Sequence, residues 1–572
     1  MRAHRRVAAP LIVLLAAGLT GCASTLPQTV VPDTKVAVGW SGGFTSVNAL
    51  ASPSPGNIDI AETIRADFGD VVDGEFVPDE SFGTVRIVSE DPFTVRYDLA
   101  EPTWSDGIPL DAADLLLGWA GASGLFERDE EADGEAGGDA PEVALPEVAL
   151  PEVDEFARAI EVTFPQPAID WQQAVTAPVP AHVAGKRAFG TDDAMEAKNA
   201  VIRAIQDADP AALKDLAAVW NEGFELPDKK AIPQDLRLSS GPYVVDRVRD
   251  EEAGQSVTLV PNPSYKGGVG PQIARVELVP PGSDPVSAIG TRLDVAQVTP
   301  MASNRAVIRE LERRDFTVQT THDGTVWAVM LNPSRVFADE RARSAFLRAL
   351  PARALAEAGG GEWAAAYTAT TSMVSAPGSR AYDIVNEDSG FAQTLGTQSE
   401  DPAAERQSAG VGAGARVCVL YDRRSEFAAG AFSALRDAAA EAGWGIADCG
   451  SDDVDAALGQ RGWDAVIARV PIPQSPAQIA AQWGTQGAAS VTGHADAERD
   501  TLIAQLAQTV DVYEARDIRA LIEFTIVRAA LALPIATNPR ITVVDRDVSG
   551  VTARNGAPAP LTYGIVQWAA AK

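Results

Sequence analysis

Seven strand-like segments, separated by helical patterns, limit the folds open to this chain. Each alternates apolar and polar residues or forms a short apolar run, as buried strands do: "TKVAVGW", "FTVRYDLA", "QSVTLVPN", "ARVELV", "TVWAVML", "ARVCVLYD" and "WDAVIARV". Four stretches have a helical period: "PLDAADLLLGWAG", "DERARSAFLRAL", "EFAAGAFSALRDAAAEAG" and "ARDIRALIEFTIVRAALAL". The span from Cys418 to Cys449 is typical of a strand, helix, strand unit. The sequence therefore predicts an α/β fold.

Size and charge narrow the function classes. The chain has 572 residues, of which 46% are apolar, so it can fill several large cores. Its 79 acidic residues outnumber its 47 Lys and Arg residues and give a net charge of -32. Such a surface repels phosphate backbones and anionic lipids. We therefore expect neither nucleic-acid binding nor a polybasic membrane patch.

The N-terminus has the parts of an export signal. Three arginines precede an apolar stretch from Val7 to Leu19, which is too short for a membrane span and contains Pro10. The following Leu19-Thr20-Gly21-Cys22 resembles a bacterial lipobox, which implies cleavage before Cys22 and acylation of its thiol, as with palmitate. Residues 1–21 would then be the signal and 22–33 a tether. A plain secretory signal with a chance cysteine is the alternative.

One region departs from the α/β pattern. Residues 127–153 are acidic and then repeat a Pro-containing pentapeptide, which predicts a disordered insertion. The insertion partly imitates a calcium loop from Asp129 to Gly134, but position twelve is Ala140. No histidine or cysteine pair has metal-ligand spacing, and no phosphate-binding loop motif is present. We expect no metal and no cofactor.

A literal G-x-S-x-G match raises the question of an enzyme. Gly39-Trp40-Ser41-Gly42-Gly43 fits the nucleophile elbow of hydrolases. The motif lies just after the tether, which leaves no room for the earlier strands of a hydrolase sheet, and no helical period follows directly. We predict no catalytic residues, with a Ser41 hydrolase as an alternative.

The stretch after "FTVRYDLA" predicts a turn, a cap and a helix. Asp106-Gly107 favours a tight turn, and Asp111 can cap a helix whose third residue is Asp114. Here the sequence resembles the peptide- and nickel-type extracellular solute-binding proteins of ABC importers. That class carries D-G-x-P-x-x-A-x-D after a strand, and its residues match Asp106, Gly107, Pro109, Ala112 and Asp114.

Three more motifs extend the resemblance in the same order. "SSGPYVV" from Ser239 is similar to the G-P-Y strand of the class, and "LVPNPSYKGG" from Leu259 is similar to its N-P-x-Y-x-G-G stretch. "WAVMLNPSRVFADERARSAFLRAL" from Trp327 resembles its strand and D-x-R-x-R-x-A helix. Together the motifs cover most of the mature chain.

The resemblance implies a two-lobed fold with hinge strands and a small extra domain in the first lobe. It implies a receptor that binds a peptide or other small solute, partners an ABC permease and its ATPase subunits, and is anchored on the outer face of the bacterial cytoplasmic membrane. We expect a monomer. A sensing or adhesion lipoprotein without a transport partner is the alternative. The implied boundaries are lobe I at 34–64, 169–279 and 494–572, the small domain at 65–168, and lobe II at 280–493.

The resemblance also nominates solute-binding residues. The loop after the first strand supplies Trp40, Ser41, Gly42 and Phe44, although core packing of both aromatics is an equal alternative. The remaining candidates are Phe126 after the signature helix, Trp327 in a strand crossing between lobes, and Arg469 and Ile472 in a cleft-lining segment. Cys418 and Cys449 lie on adjacent predicted strands and are either a disulfide or two buried thiols.

One departure from the class bears on the solute. Peptide-binding relatives place an aspartate, which pairs with the peptide amino terminus, in a stretch matching Arg469 to Pro476, and this stretch contains no acid. A buried ammonium beside Arg469 is disfavoured by desolvation and like charge. We therefore predict an N-blocked peptide, a larger peptide held along its backbone, or a non-peptide solute. A carboxylate from elsewhere in the chain would restore the usual anchor.

Overall fold

The computed structural model describes residues 26–72, 74–126, 149–227, 231–557 and 559–571. Cys22 and residues 127–148 of the acidic insertion lie outside these ranges, so acylation and disorder there remain predictions. The strands are β1 (Val31–Gly39), β2 (Gly69–Val72), β3 (Glu75–Pro78), β4 (Gly83–Glu90), β5 (Phe93–Leu99), β6 (Glu152–Asp154), β7 (Ala159–Thr163), β8 (Tyr243–Glu251), β9 (Gly254–Pro261), β10 (Ile273–Val279), β11 (Val295–Val298), β12 (Thr317–Leu331), β13 (Ala415–Leu420), β14 (Trp444–Asp448), β15 (Ala465–Pro471), β16 (Ala532–Val544), β17 (Val548–Ser549) and β18 (Ala569–Ala570).

The helices lie between these strands along the chain. They are α1 (Pro55–Ile64), α2 (Ala112–Ala122), α3 (Ala181–Phe189), α4 (Ala194–Gln206), α5 (Pro210–Glu222), α6 (Pro285–Ala288), α7 (Arg305–Arg313), α8 (Glu340–Leu347), α9 (Ala352–Gly360), α10 (Arg380–Asp388), α11 (Pro402–Ser408), α12 (Glu426–Glu441), α13 (Val454–Gly459), α14 (Pro476–Trp483), α15 (Ala497–Ala507) and α16 (Val512–Arg528).

The sequence patterns match these elements closely. All seven strand-like segments contribute to strands, and the predicted strand, helix, strand unit is β13, α12 and β14, with β13 and β14 parallel. One boundary is wrong: the last predicted helix was extended to Leu533, but α16 ends at Arg528. Residues from Ala532 onward pair with β12 instead, so their backbone groups are satisfied by the sheet.

Ten strands form one mixed sheet in the order β14-β13-β15-β12-β16-β11-β1-β10-β9-β8. The long strands β12 and β16 are antiparallel and pair along most of their length. The first part of β12 lies opposite the part of β16 that pairs with β11, and its second part pairs with β15. These two strands therefore join a half containing β11, β1, β10, β9 and β8, here called the first lobe, to a half containing β15, β13 and β14, the second lobe.

The packing corrects the lobe boundaries implied by the resemblance. Helices α15 and α16 fall in the range 494–572, which was expected in the first lobe. Their apolar residues, including Ile503, Ile518 and Ile522, instead pack with Val326 and Val466 on the second-lobe sheet. Strand β11 was expected in the second lobe but pairs with β1 and β16. Periodicity identifies an apolar helix face but not the surface that covers it.

The predicted small domain contains a second, four-stranded sheet in the order β4-β5-β7-β6. The predicted disordered insertion was extended too far, to Val153. Glu152 and Val153 belong to β6 and pair with Glu161 and Ile160 of β7. These pairs satisfy backbone groups that a disordered segment would leave to water.

The two cysteines within the described residues form a disulfide. Cys418 of β13 is bonded to Cys449, just beyond the end of β14, with their Cα atoms 5.6 Å apart. The parallel pairing of β13 and β14 brings the two residues to the same end of neighbouring strands.

Candidate functional site

The β12 and β16 ladder is interrupted where the two lobes meet. Pairing stops after His322 opposite Pro539 and resumes at Val326 opposite Thr537. Gly324 in the interruption has a φ of 84°, a conformation that favours glycine. The Asp323 and Asn538 side chains lie at this interruption, which we call the hinge break.

A polar network fills the hinge break. Asp323 Oδ1 accepts from the Thr325 backbone N–H at 2.9 Å and from its hydroxyl at 2.5 Å. Asp323 Oδ2 accepts from Asn538 Nδ2 at 2.7 Å and lies 3.4 Å from Arg469 Nη2. The Asn538 Oδ1 atom accepts from Trp327 Nε1 at 2.9 Å. Four donors therefore already surround the Asp323 carboxylate.

Arg469 is the more available partner in this pair. Its side chain is 46% exposed, against 19% for Asp323. Arg469 lies directly opposite Trp327 in the β12 and β15 ladder, so both side chains leave the same face of the sheet. Its exposed guanidinium retains N–H donors that can reach a carbonyl or carboxylate oxygen of a solute.

Three aromatic rings form a stack on this face of the sheet. Phe427, the second residue of α12, is the shared ring. Trp327 and Tyr367 each stack on it with ring centroids 4.6 Å apart. The Thr537 backbone N–H donates to the Thr368 carbonyl at 2.8 Å, which holds the Tyr367 segment beside the hinge break. Burial and the nearby charge of Glu426 raise the pKa of Tyr367 to about 12, so its hydroxyl keeps its proton. Tyr367 is half-buried and is the most accessible ring of the stack.

The glycine loop after β1 is tightly packed at its aromatic residues. Trp40 is buried, and its Nε1 donates to Asp59 Oδ2 at 2.8 Å. Phe44 is buried, with its backbone N–H and C=O bound by the Gln255 side chain. A Cβ on Gly42 would lie 2.7 Å from the Trp40 ring, so that position excludes any side chain. The structure therefore favours the core alternative for both aromatics.

The exposed Ser41 does not lie in a nucleophile elbow. That motif requires a sharp turn from a strand directly into a helix. Ser41 follows β1, but α1 begins only at Pro55.

Two further candidates lie in cores. Phe126 is 2% exposed and packs against Trp220 at a centroid distance of 5.6 Å, so its ring faces the first-lobe interior and does not line a cleft. The Ile472 side chain is buried among the second-lobe residues that pack on α16. Its backbone N–H donates to the Gly324 carbonyl at 2.8 Å, so Ile472 supports the hinge break through its main chain.

A charged group on the first lobe was missed by sequence reasoning. Asp59, Glu62, Asp67 and Asp70 lie along and after α1, with Arg65 and Arg554 among them; Arg554 Nη1 lies 2.7 Å from Asp70 Oδ2. Burial of its carboxylate by surrounding protein, together with the charge of Asp70, raises the pKa of Glu62 to about 7, and burial raises that of Asp67 to about 6.

The C-terminal segment that carries Arg554 connects this charged group to the hinge break. The Gly556 backbone N–H donates to the His322 carbonyl at 3.0 Å, and Arg540 donates to the Arg554 carbonyl at 2.6 Å. Residues 554–556 therefore contact both the first-lobe acids and the residues beside the Asp323 network. No group of His, Cys, Asp and Glu residues within the described ranges is arranged to hold a metal ion.

Some residues of the hinge break and the aromatic stack were not predicted from the sequence, and only one of them had a sequence signal. Asp323-Gly324 interrupts a strand-like run, which is a signal for a bulge. Asn538, Tyr367 and Phe427 gave no such signal, because they reach the site from segments far apart in the chain.

Comparison with known proteins identifies the class. The family described as "Bacterial extracellular solute-binding proteins, family 5 Middle" matches residues 84–404, more than half of the chain. This chain belongs to the family 5 bacterial extracellular solute-binding proteins. Members of the family are substrate-binding receptors of ABC importers, so this family 5 protein is a solute receptor that works outside the cytoplasm with an ABC permease.

Individual relatives agree with this assignment. An uncharacterized lipoprotein of Mycobacterium tuberculosis is 25% identical over 459 residues, covering 78% of this family 5 protein and 76% of the relative. A periplasmic EDTA-binding protein, EppA, shares the fold with a TM-score of 0.71, 17% identity and coverage of 94% and 96%. The oligopeptide-binding protein AppA of Bacillus subtilis, solved with a nonapeptide, has a TM-score of 0.58, 12% identity and coverage of 94% and 99%.

The structural relatives establish the two-lobed periplasmic-binding-protein fold. None of the helices that the structure describes between residues 26 and 571 has the length and apolar content needed to cross a bilayer.

Proposed function

We propose that this protein is a lipid-anchored receptor that binds a peptide or peptide-like solute at the hinge break and delivers it to an ABC permease powered by ATPase subunits. The B. subtilis relative solved with a nonapeptide supports the peptide class. The mycobacterial relatives named as lipoproteins support the anchor.

One observation carries the choice of solute chemistry. The Asp323 carboxylate lies beside Arg469. It is a candidate for the carboxylate from elsewhere in the chain that could bind a peptide amino terminus, an alternative that the sequence left open. Its oxygens already accept from Thr325 and Asn538, whereas the exposed Arg469 guanidinium can still donate. A free ammonium would find the carboxylate occupied and a guanidinium 3.4 Å away. We infer that Arg469 binds a carbonyl or carboxylate oxygen and that a free amino terminus is not required.

Native mass spectrometry of material that co-purifies with the protein is the first experiment. Calorimetry then compares matched peptides of three to nine residues with free and acetylated amino termini. We expect acetylated peptides to bind at least as tightly as free ones. Arg469→Gln should weaken binding by about tenfold or more, because it removes a charged hydrogen bond inside the cleft.

Arg353→Gln is the matched control, because Arg353 is 91% exposed and pairs with Glu357 on the second-lobe surface. A preference for the free amine that survives Arg469→Gln but disappears in Asp323→Asn would show that Asp323 is the usual amino-terminal anchor. Failure of every peptide to bind, with another solute found by mass spectrometry, would reject the peptide class.

Anchoring is tested separately at Cys22. Cys22→Ser should release the protein into the medium or block its processing, because the acylated thiol is the proposed membrane attachment. Membrane fractionation that shows an unchanged distribution would reject the anchor.

A further inference from the structure

The β2 and β3 hairpin of the first lobe contacts the second lobe. The hairpin is attached to the first lobe at two points: Phe76 packs against its apolar core, and Asp70 pairs with Arg554 through both guanidinium nitrogens at 2.7 and 3.2 Å. Glu75, the first residue of β3, lies at the end of the hairpin next to the turn. Its carboxylate is therefore held on the first lobe.

Two second-lobe arginines bind this carboxylate. Arg380, the first residue of α10, places Nη1 2.6 Å from Glu75 Oε2. Arg516 of α16 binds the other oxygen, Oε1. The Glu75 and Arg516 side chains are only 23% and 14% exposed, so their pair is better shielded from water than an ordinary surface ion pair, whereas the Arg380 side chain is 71% exposed.

The second lobe holds the surface around these arginines in place. The buried Glu523 of α16 accepts from the Ser372 hydroxyl at 2.6 Å and from the Val374 backbone N–H at 3.0 Å. The Tyr382 hydroxyl of α10 accepts from the Thr371 backbone N–H at 3.1 Å. Residues 371–374 are thus tied to both helices, so Arg380 and Arg516 lie on one fixed surface.

Separation of the lobes would change the electrostatics of this cluster. Glu75 would leave with the hairpin, and two neighbouring guanidinium groups would remain without the carboxylate that they share. Only water and dissolved salt would then screen the repulsion between the two guanidinium groups. The cluster therefore stabilises the state in which the lobes are together.

We propose that Glu75 is an interlobe latch, whose bonds to Arg380 and Arg516 increase the population of the closed state and thereby slow solute release. The proposal rests on the proposed function only in assuming that the lobes close on a solute. A contact present only in the closed state shifts the equilibrium by its full differential free energy and raises the apparent affinity accordingly.

Small-angle X-ray scattering without added solute tests the latch directly. Glu75→Gln should increase the radius of gyration, and raising NaCl from about 50 mM to about 500 mM should expand the wild type more than the variant, because salt screens the ion cluster. Glu277→Gln is the control, since it removes the 2.7 Å Lys35 pair within the first lobe. The Arg516→Gln and Glu75→Gln double variant should expand no further than Glu75→Gln, because both changes break one contact.

Scattering from Glu75→Gln that equals that of the wild type and Glu277→Gln at both salt concentrations would overturn the proposal. Dissociation of a peptide found to bind the wild type should be about tenfold faster in Glu75→Gln. If no peptide binds the wild type but the scattering changes as expected, the latch stands and the peptide proposal fails.

Discussion

At the scale of single residues, Glu62 shows how the first lobe tolerates carboxylates near one another. Burial of its carboxylate is the main cause of its raised pKa, the charge of Asp70 adds to it, and Arg554 and Arg65 oppose it. The folded protein thus holds the Glu62 proton more tightly than the unfolded chain does. Stability is consequently lost as pH rises from about 4.5, the ordinary value, through about 7.

Glu62→Gln should therefore stabilise the protein at pH 8 and have little effect at pH 5. The amide removes the charge that the surroundings disfavour while keeping the shape of the side chain. Thermal unfolding at both pH values measures the difference. Glu357→Gln, on the exposed second-lobe surface, is the control. Equal shifts at both pH values would show that the effect is not one of ionisation.

Of the Asp323 and Arg469 pair, the sequence predicted Arg469 as a site residue but not Asp323. Arg469 was nominated because it ends a strand in a segment that lines the cleft in relatives. Asp323 lies on another strand, and only the antiparallel pairing of β12 with β15 places the two together. The aromatic candidates were visible as residue types, but their burial depends on neighbours such as Asp59 and Gln255.

At the scale of elements, the start of α2 combines a capping box with a buried ion cluster. Asp111 caps the helix, and Asp114 accepts from the Asp111 backbone N–H at 3.0 Å, as the sequence predicts. Asp114 is fully buried and also accepts from Trp104 Nε1, the Ala181 backbone N–H and Lys198 Nζ. Burial alone would lower the pKa of Lys198, but Asp114 and Asp111 outweigh it and raise that pKa, so the ammonium stays charged.

Asp114→Asn should lower the free energy of unfolding of the first lobe by about 2 kcal/mol or more, because it removes the buried carboxylate partner of Lys198 and leaves only Asp111, 3.0 Å away, beside the ammonium. Urea unfolding followed by tryptophan fluorescence measures the loss. Asp193→Ala is the matched control: it removes a helix cap at α4 with exposed hydrogen bonds, and should cost about 1 kcal/mol. Equal losses in the two variants would mean that Asp114 acts only as a cap residue.

The same helix shows what local sequence can determine. The spacing of Asp111 and Asp114 predicted the capping box because every partner is within one turn. Lys198 lies 84 residues away, and nothing in its own segment indicates a buried ammonium. Helix α16 was likewise visible as a helix, but the lobe that it covers depends on the path of β16 after it.

At the scale of the whole molecule, the acidic insertion interrupts a domain whose parts on both sides are packed. Phe126 contacts Trp220 before it, and near its end the Pro151 carbonyl accepts from Gln206 Nε2 at 2.7 Å. The predicted disordered segment thus begins and ends at fixed positions in the first lobe. Composition could indicate the insertion, but the strand at its end depends on pairing with β7.

Replacing residues 128–148 by a short Gly-Ser linker should leave the unfolding transition as cooperative as in the full chain, because the retained ends already make their contacts. Differential scanning calorimetry measures this. Extending the replacement to Asp154 removes β6 and should lower the melting temperature. If the shorter replacement broadens or lowers the transition as much as the longer one, residues 128–148 belong to a folded core.

The ten-stranded sheet is open, so it has two edges at which another copy could add a strand. The edge strand β14 is only five residues long, and its end is bonded to β13 through Cys449. The other edge strand, β8, carries Asp246, Arg247, Arg249 and Asp250. Short length and charge both discourage strand addition. This protects against self-association at the high local density that the proposed membrane anchor would produce.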